Sequence, residues 1–442
     1  MQDWSGMSAA ELGRAIGAGE IDPVELAAAF LDRARAHPEM NRIYARLTAE
    51  RALAEAEAAR IRAKAGHRRG PLDGVPVSWK DNYDTAGVAT EAGSALLKGR
   101  VPERDADVLV NATQAGLVCL GKTHLSELAF SGLGLNPVTA TPPNVNDPKV
   151  VPGGSSSGAA ATVAMGLAPA AIGSDTGGSV RIPAAWQDLV GLKTTLRRLS
   201  CRGVVPLVES FDTVGPLTKT VEDAALLLAA LEGCRPADLS GATLEGVRLL
   251  VLEGKALEDL DEVPRAGFES AVSRLEAAGA RIDDAKVAAA DDALGLSAIL
   301  YTPEAYGIWR TAIEASPEKM FPPILERFRS GAGVTAADFV TAWRRLRELR
   351  ADWAKAVAPY DAVILPTAPI APPETERLLA DSDFYVRANL LTLRNTRVGN
   401  LMEVPALTLP TGLPSAGIMF LGRPMQEERL LRLGAAAEAA LA

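Results

Sequence analysis

Between Lys149 and Asp175 the chain carries no charged residue, and a run of that length belongs either in a membrane or in the middle of a packed core. Its first part, Val151-Pro-Gly-Gly-Ser-Ser-Ser-Gly, is rich in small residues. The more continuously apolar piece, Ala159 to Ile172, is interrupted by Gly166 and Pro169 and is shorter than the roughly 20 residues a spanning helix needs. The stretch therefore reads as a buried helix followed by a buried strand. Burying it takes a large core, which 442 residues with 48% hydrophobic and 23% charged side chains can supply. The same proportions exclude a disordered or collagen-like chain.

On either side, helical and strand-like patterns alternate. Helices are expected around Ser8 to Gly17, from Pro23 (a residue suited to a first helical position) to about Ala36, and over the Ala/Glu/Arg-rich segment Ala49 to Ala65. The short apolar runs Val75-Pro-Val-Ser-Trp, Gly116-Leu-Val-Cys-Leu and Ala170-Ala-Ile read as strands, as do Val247 to Leu252, Ala362-Val-Ile-Leu-Pro and Ala406-Leu-Thr-Leu-Pro. Residues 258–358 read mostly as amphipathic helices, and a last helix is expected from about Gln426 to Leu441. This alternation specifies an α/β fold. No internal repeat or low-complexity linker divides the chain.

Charge and residue inventory narrow the function. A net charge of −9 without a Lys/Arg-rich tract leaves no electrostatic footprint for nucleic acid and is repelled by anionic membrane surfaces. Neither is expected as a partner. Cys119, Cys201 and Cys234 show no CxxC spacing, and MQDWSGMSAAEL at the N-terminus lacks a basic region followed by an apolar one, so a cytoplasmic protein is expected. Of the three histidines, His37 precedes a proline, His67 lies in Gly66-His-Arg-Arg-Gly, and His124 follows a buried strand. Gly116-Leu-Val-Cys-Leu-Gly-Lys-Thr has the letters of GxxxxGK[ST], but its apolar middle reads as a strand rather than a phosphate-binding loop, and HExxH and a GxGxxG at a strand-to-helix turn are missing, so nucleotide, zinc-protease and dinucleotide readings have no support.

Two small-residue loops remain: Val151-Pro-Gly-Gly-Ser-Ser-Ser-Gly-Ala-Ala-Ala and Gly173-Ser-Asp-Thr-Gly-Gly-Ser-Val-Arg-Ile-Pro-Ala-Ala. Each joins glycines, which let N–H groups approach closely, to a serine able to act as a nucleophile. The second follows a buried strand and precedes a helix, so successive N–H groups can converge beside Ser179 as an oxyanion hole. A serine nucleophile needs a base. Lys80 ends an apolar strand, where burial would lower its pKa toward neutrality.

These residues, with Leu72-Asp-Gly-Val-Pro-Val-Ser-Trp-Lys-Asp-Asn, Gly116-Leu-Val-Cys-Leu-Gly-Lys-Thr, Gly191-Leu-Lys-Thr, Asp212-Thr-Val-Gly-Pro-Leu-Thr-Lys-Thr-Val-Glu-Asp, Leu365-Pro-Thr and Gly422-Arg-Pro, resemble the amidase signature family of serine hydrolases. The 24-residue separation of Ser155 and Ser179 equals the family's spacing. The resemblance implies one amidase domain over residues 1–442, with a signature core at about 72–225 and a variable substrate-pocket region at about 240–360. Its fold would be a large twisted mixed sheet flanked by helices on both sides.

The resemblance also implies a Ser–cis-Ser–Lys triad: Ser179 as nucleophile, Ser155 as the bridging serine after a cis peptide, and Lys80 as general base. The N–H groups of Thr176, Gly177, Gly178 and Ser179 would form the oxyanion hole. Asp175 and Arg181 would hold the loop's shape, and Ser156 would support Ser155. It implies no metal and no organic cofactor, a small-molecule amide as substrate, and a homodimer as a state common among relatives.

Within the family, a general amidase is set against the glutaminase (A) subunit of the tRNA-dependent amidotransferase, which needs a partner subunit. The glutaminase pattern places an aspartate shortly before an Asn-Leu turn, and Leu391-Thr-Leu-Arg-Asn-Thr-Arg-Val-Gly-Asn-Leu has no acid. A general amidase is therefore expected. A hydrolase of carboxylated ureas or biuret-type compounds is the other alternative, with Arg394 and Arg397 as anion-holding candidates. Ser131, Arg327 and Arg394 are the expected substrate contacts, and Tyr301, Tyr306, Trp309 and Phe328 supply candidate apolar walls.

Overall fold

In the computed structural model, which describes residues 3–442, the charge-free stretch becomes a helix, Ser157–Ala164, and a strand, Ala170–Asp175. From 151 to 180 only Ala164 and Met165 are not fully buried. The strand is one of eleven among the described residues: β1 (Tyr44–Leu47), β2 (Pro76–Lys80), β3 (Val118–Thr123), β4 (Ala170–Asp175), β5 (Val190–Lys193), β6 (Thr213–Thr218), β7 (Arg248–Glu253), β8 (Arg281–Lys286), β9 (Ala362–Pro366), β10 (Ala406–Pro410) and β11 (Gly417–Leu421). They form a single sheet in the order β1-β3-β2-β4-β6-β5-β10-β11-β9-β7-β8. β2 is parallel to β3 and β4, and β7 to β8 and β9, while the remaining pairs are antiparallel. The sheet is mixed.

Successive side chains of a strand point to opposite faces, and here each face meets its own apolar cluster. Ile364, Ile418 and Phe420 enter one cluster with Leu430 and Leu431 of the helix Glu427–Leu441. Val363, Leu365, Met419 and Leu421 enter another with Leu346 and Leu349 of the helix Ala336–Val357. Helices thus cover both faces, and strands buried on both sides read as unbroken apolar runs.

The helices Pro23–Ala36 and Ala49–Lys64 lie where the sequence predicts them, and Ala9–Ala18 starts at a Ser8/Glu11 capping box. Residues 258–358 are mostly helical, as the sequence predicts, with the one strand β8 among them. Its sequence, Arg-Ile-Asp-Asp-Ala-Lys, is charged because it is an edge strand, paired only with β7 and largely exposed.

The parallel pairing of β2 with β4 sets Lys80 and Asp175 at the same end of the sheet, at the carboxyl ends of their strands. β6 runs the other way, with Thr213 opposite Asp175. That brings Asp212 to the same place.

Candidate active site

Lys80 is wholly buried. Its Nζ lies 2.7 Å from Ser155 Oγ and 2.9 Å from Ser174 Oγ, and no carboxylate pairs with it. Burial pushes its pKa down to about 7, against a smaller upward pull from Asp175 and Asp212. Two other lysines are as deeply buried, but neither touches a serine hydroxyl. Lys122 is paired with Asp81 at 3.2 Å, and Lys193 Nζ donates to Thr194 O at 2.8 Å.

Ser155 follows a cis peptide bond from Gly154. The two small-residue loops lie side by side, because Ser156 N–H donates to Ser179 O (3.1 Å) and Ser156 Oγ to Ser174 O (3.2 Å). Asn82 Nδ2 donates to Ser174 Oγ at 2.9 Å, holding the hydroxyl that faces Lys80.

The second loop winds around the Asp175 carboxylate. Oδ1 accepts from Gly178 N (2.8 Å), Asn400 Nδ2 (2.9 Å) and Arg181 Nη2 (2.9 Å), and Oδ2 from Val180 N (3.1 Å) and Arg181 Nε (3.0 Å). Burial alone would raise the pKa of this carboxyl, yet the Arg181 guanidinium holds it well below the ordinary carboxylate range. Gly178 has φ +139°, and a side chain there would run into Thr396. Gly178, one of the four expected oxyanion donors, gives its N–H to Asp175 Oδ1. That N–H is already committed, while those of Thr176, Gly177 and Ser179 make no hydrogen bond within the described residues.

The family model for Amidase matches residues 25–431. The chain belongs to the amidase family. It is 35% identical to the 2-amino-5-chloromuconic acid deaminase of Comamonas testosteroni, over 98% of this chain and 97% of that one. It is 32% identical to the A subunit of the glutamyl-tRNA(Gln) amidotransferase of Symbiobacterium thermophilum, over 97% and 95%. The solved structure of native peptide amidase from Stenotrophomonas maltophilia superposes with a TM-score of 0.83 at 28% identity, covering 99% of this chain and 97% of that one. This amidase-family chain is an amide-hydrolysing enzyme with the amidase signature fold.

Ser179 borders a cavity of about 20 Å³, together with Thr176, Gly177, Phe130, Leu207 and Tyr301. Two of the three expected substrate contacts line it. Ser131 does so with a fully engaged hydroxyl, which accepts from Tyr385 OH (3.0 Å) and donates to Asn389 Oδ1 (3.2 Å). Arg327 does so while donating to Phe130 O at 2.8 Å.

Arg394 does not line the cavity. Its guanidinium donates to Glu258 O and to Asn395 Oδ1, and it is Arg397, one turn later on the helix Arg394–Leu401, that lines the cavity. Ser174 and Asp212 were not predicted as site residues. Both lie in quoted motifs, and only the meeting of β4 with β2 and β6 gives them their places. Among the described residues no helix is long and apolar enough to cross a membrane.

Proposed function

We propose that the chain hydrolyses a linear carboxamide through an acyl-enzyme on Ser179, with Lys80 and Ser155 as its proton relay. The observation that carries this reading is Lys80 itself, buried, without an acidic partner, and hydrogen-bonded to Ser155. Neutral Lys80 takes the Ser155 proton as Ser155 takes that of Ser179. Ser179 Oγ then attacks the carbonyl carbon.

The resulting oxyanion accepts from the free N–H groups of Thr176, Gly177 and Ser179. Each such donor is worth about 3–4 kcal/mol of transition-state stabilisation. The proton returns through Ser155 to the departing nitrogen, the C–N bond breaks, and water releases the acid by the same relay. No hydrogen bond joins the Ser155 and Ser179 hydroxyls among the described residues, so the relay closes by rotation of the Ser179 side chain as substrate binds.

A stand-alone amidase accounts for the site better than the glutaminase subunit of the amidotransferase. The ionised groups lining the cavity are Arg327 and Arg397, with no carboxylate to hold the ammonium of glutamine. The test is ammonia release by the purified chain alone, run with hydroxylamine present. Acyl hydroxamate formation, abolished in Ser179→Ala, is the expected result. Full activity in Ser179→Ala, or turnover of glutamine only after a partner subunit is added, would sink this reading.

A further inference from the structure

The small cavity at Ser179 meets a second cavity of about 660 Å³, and Tyr301, Arg327 and Arg397 line both. All three are hydrogen-bond donors lacking an acidic partner. The Arg397 side chain makes no hydrogen bond or ion pair within the described residues, and Tyr301 is its one titratable neighbour of consequence. Arg327 has only Arg397, Tyr385 and Tyr301 in that role, and its guanidinium lies 4.2 Å from the Phe130 ring centroid. The Tyr301 hydroxyl, on a side chain in a residue 6% exposed, has no hydrogen-bond partner.

Two half-buried guanidinium groups lining one cavity without a counter-charge are unfavourable, and a buried, unpartnered phenol adds to the cost. A ligand that accepts from all three completes the arrangement. The acids of the larger cavity, Glu326 and Asp383, are exposed and do not border the Ser179 cavity.

We propose that Arg327, Arg397 and the Tyr301 hydroxyl form a carboxylate subsite, and that the substrate is a primary amide whose acyl chain carries a carboxylate. This inference rests on the hydrolase reading above and adds its substrate class. A carboxylate matches the planar fork of a guanidinium and has a further lone pair for the phenol. Beside Ser179 the space is about that of one water, which suits –NH₂ as the leaving group. The acyl chain then runs from Ser179 toward the junction, and water converts the amide to a dicarboxylate and ammonia.

The full chain is assayed for ammonia release from malonamate, succinamate and glutaramate, each against the uncharged amide of equal length: propanamide, butanamide and pentanamide. For at least one pair, kcat/KM is expected to favour the carboxylated amide by about 100-fold. Arg397→Gln and Arg327→Gln, folded by circular dichroism, are expected to cut that ratio below about tenfold, chiefly through KM. Equal or faster turnover of the uncharged amides, or a preference that both variants retain, overturns the subsite and leaves the hydrolase reading standing. If the wild-type chain hydrolyses no amide, the hydrolase reading fails and calorimetry with succinate and glutarate on Ser179→Ala protein decides. Binding that is lost on adding Arg397→Gln supports the subsite, and no binding overturns it.

Discussion

At the scale of single residues, the proposed relay makes Lys80 the source of the pH dependence. Its pKa is lowered to about 7 chiefly by burial, so the neutral form needed of a base is populated only above that pH. We expect kcat/KM to rise about tenfold per pH unit in acid and to level off above about pH 7. Lys80→Ala should lower kcat by about 10³-fold and abolish that rise. A profile flat from pH 5 to 9 in the wild-type enzyme would remove Lys80 from the relay. As candidates, Ser155 and Ser179 are legible in the sequence because they sit in contiguous loops of small residues, and Lys80 because a lysine at the end of an apolar strand stands out. Arg397 was not separable from Arg394. The two lie three positions apart on one helix, close enough in angle that sequence alone does not say which turns inward.

At the scale of elements, the loop from Asp175 to Arg181 is held by one carboxylate with five donors around it. Asp175→Asn leaves the buried Arg181 without its counter-charge, which costs about 3–5 kcal/mol. Urea unfolding at pH 7 should show that loss, and a change below about 1 kcal/mol would mean that the ion pair is not what holds the loop. Because the folded-state pKa of Asp175 is depressed, its stabilisation is present above the ordinary carboxylate value and is lost as pH falls through the lower folded one. The gap between wild type and variant should therefore close only in strong acid. Gly178→Ala attacks the same loop sterically, through φ +139° and the Thr396 side chain, and should lower both kcat and Tm. The strands of the sheet interior were legible as apolar runs. Edge strand β8 was hidden, because charges that suit an exposed edge also suit a surface helix.

At the scale of the whole molecule, the proposed single domain makes a claim about cooperativity. The strands of the signature core and those after residue 360 belong to one ladder, since β5 pairs with β10, β10 with β11 and β11 with β9. β9 pairs in turn with β7, so the intervening region is joined to the same sheet. The site is divided in the same way: Arg181 donates to Thr396 O at 2.7 Å and to Asn400 Oδ1 at 2.6 Å, both more than 200 residues away. A fragment ending near residue 235 would expose the free edge of β5 and leave Arg181 without two of its partners. We expect that fragment to be unfolded by circular dichroism. In the full chain, tryptophans in both halves are almost fully buried, Trp79 and Trp186 in the signature core and Trp309 and Trp353 in the variable region. Their fluorescence should therefore change in the same urea interval as the far-ultraviolet circular dichroism. Two separated transitions, with Trp309→Phe and Trp353→Phe removing one of them, would show instead that the substrate-pocket region unfolds on its own and is a second domain.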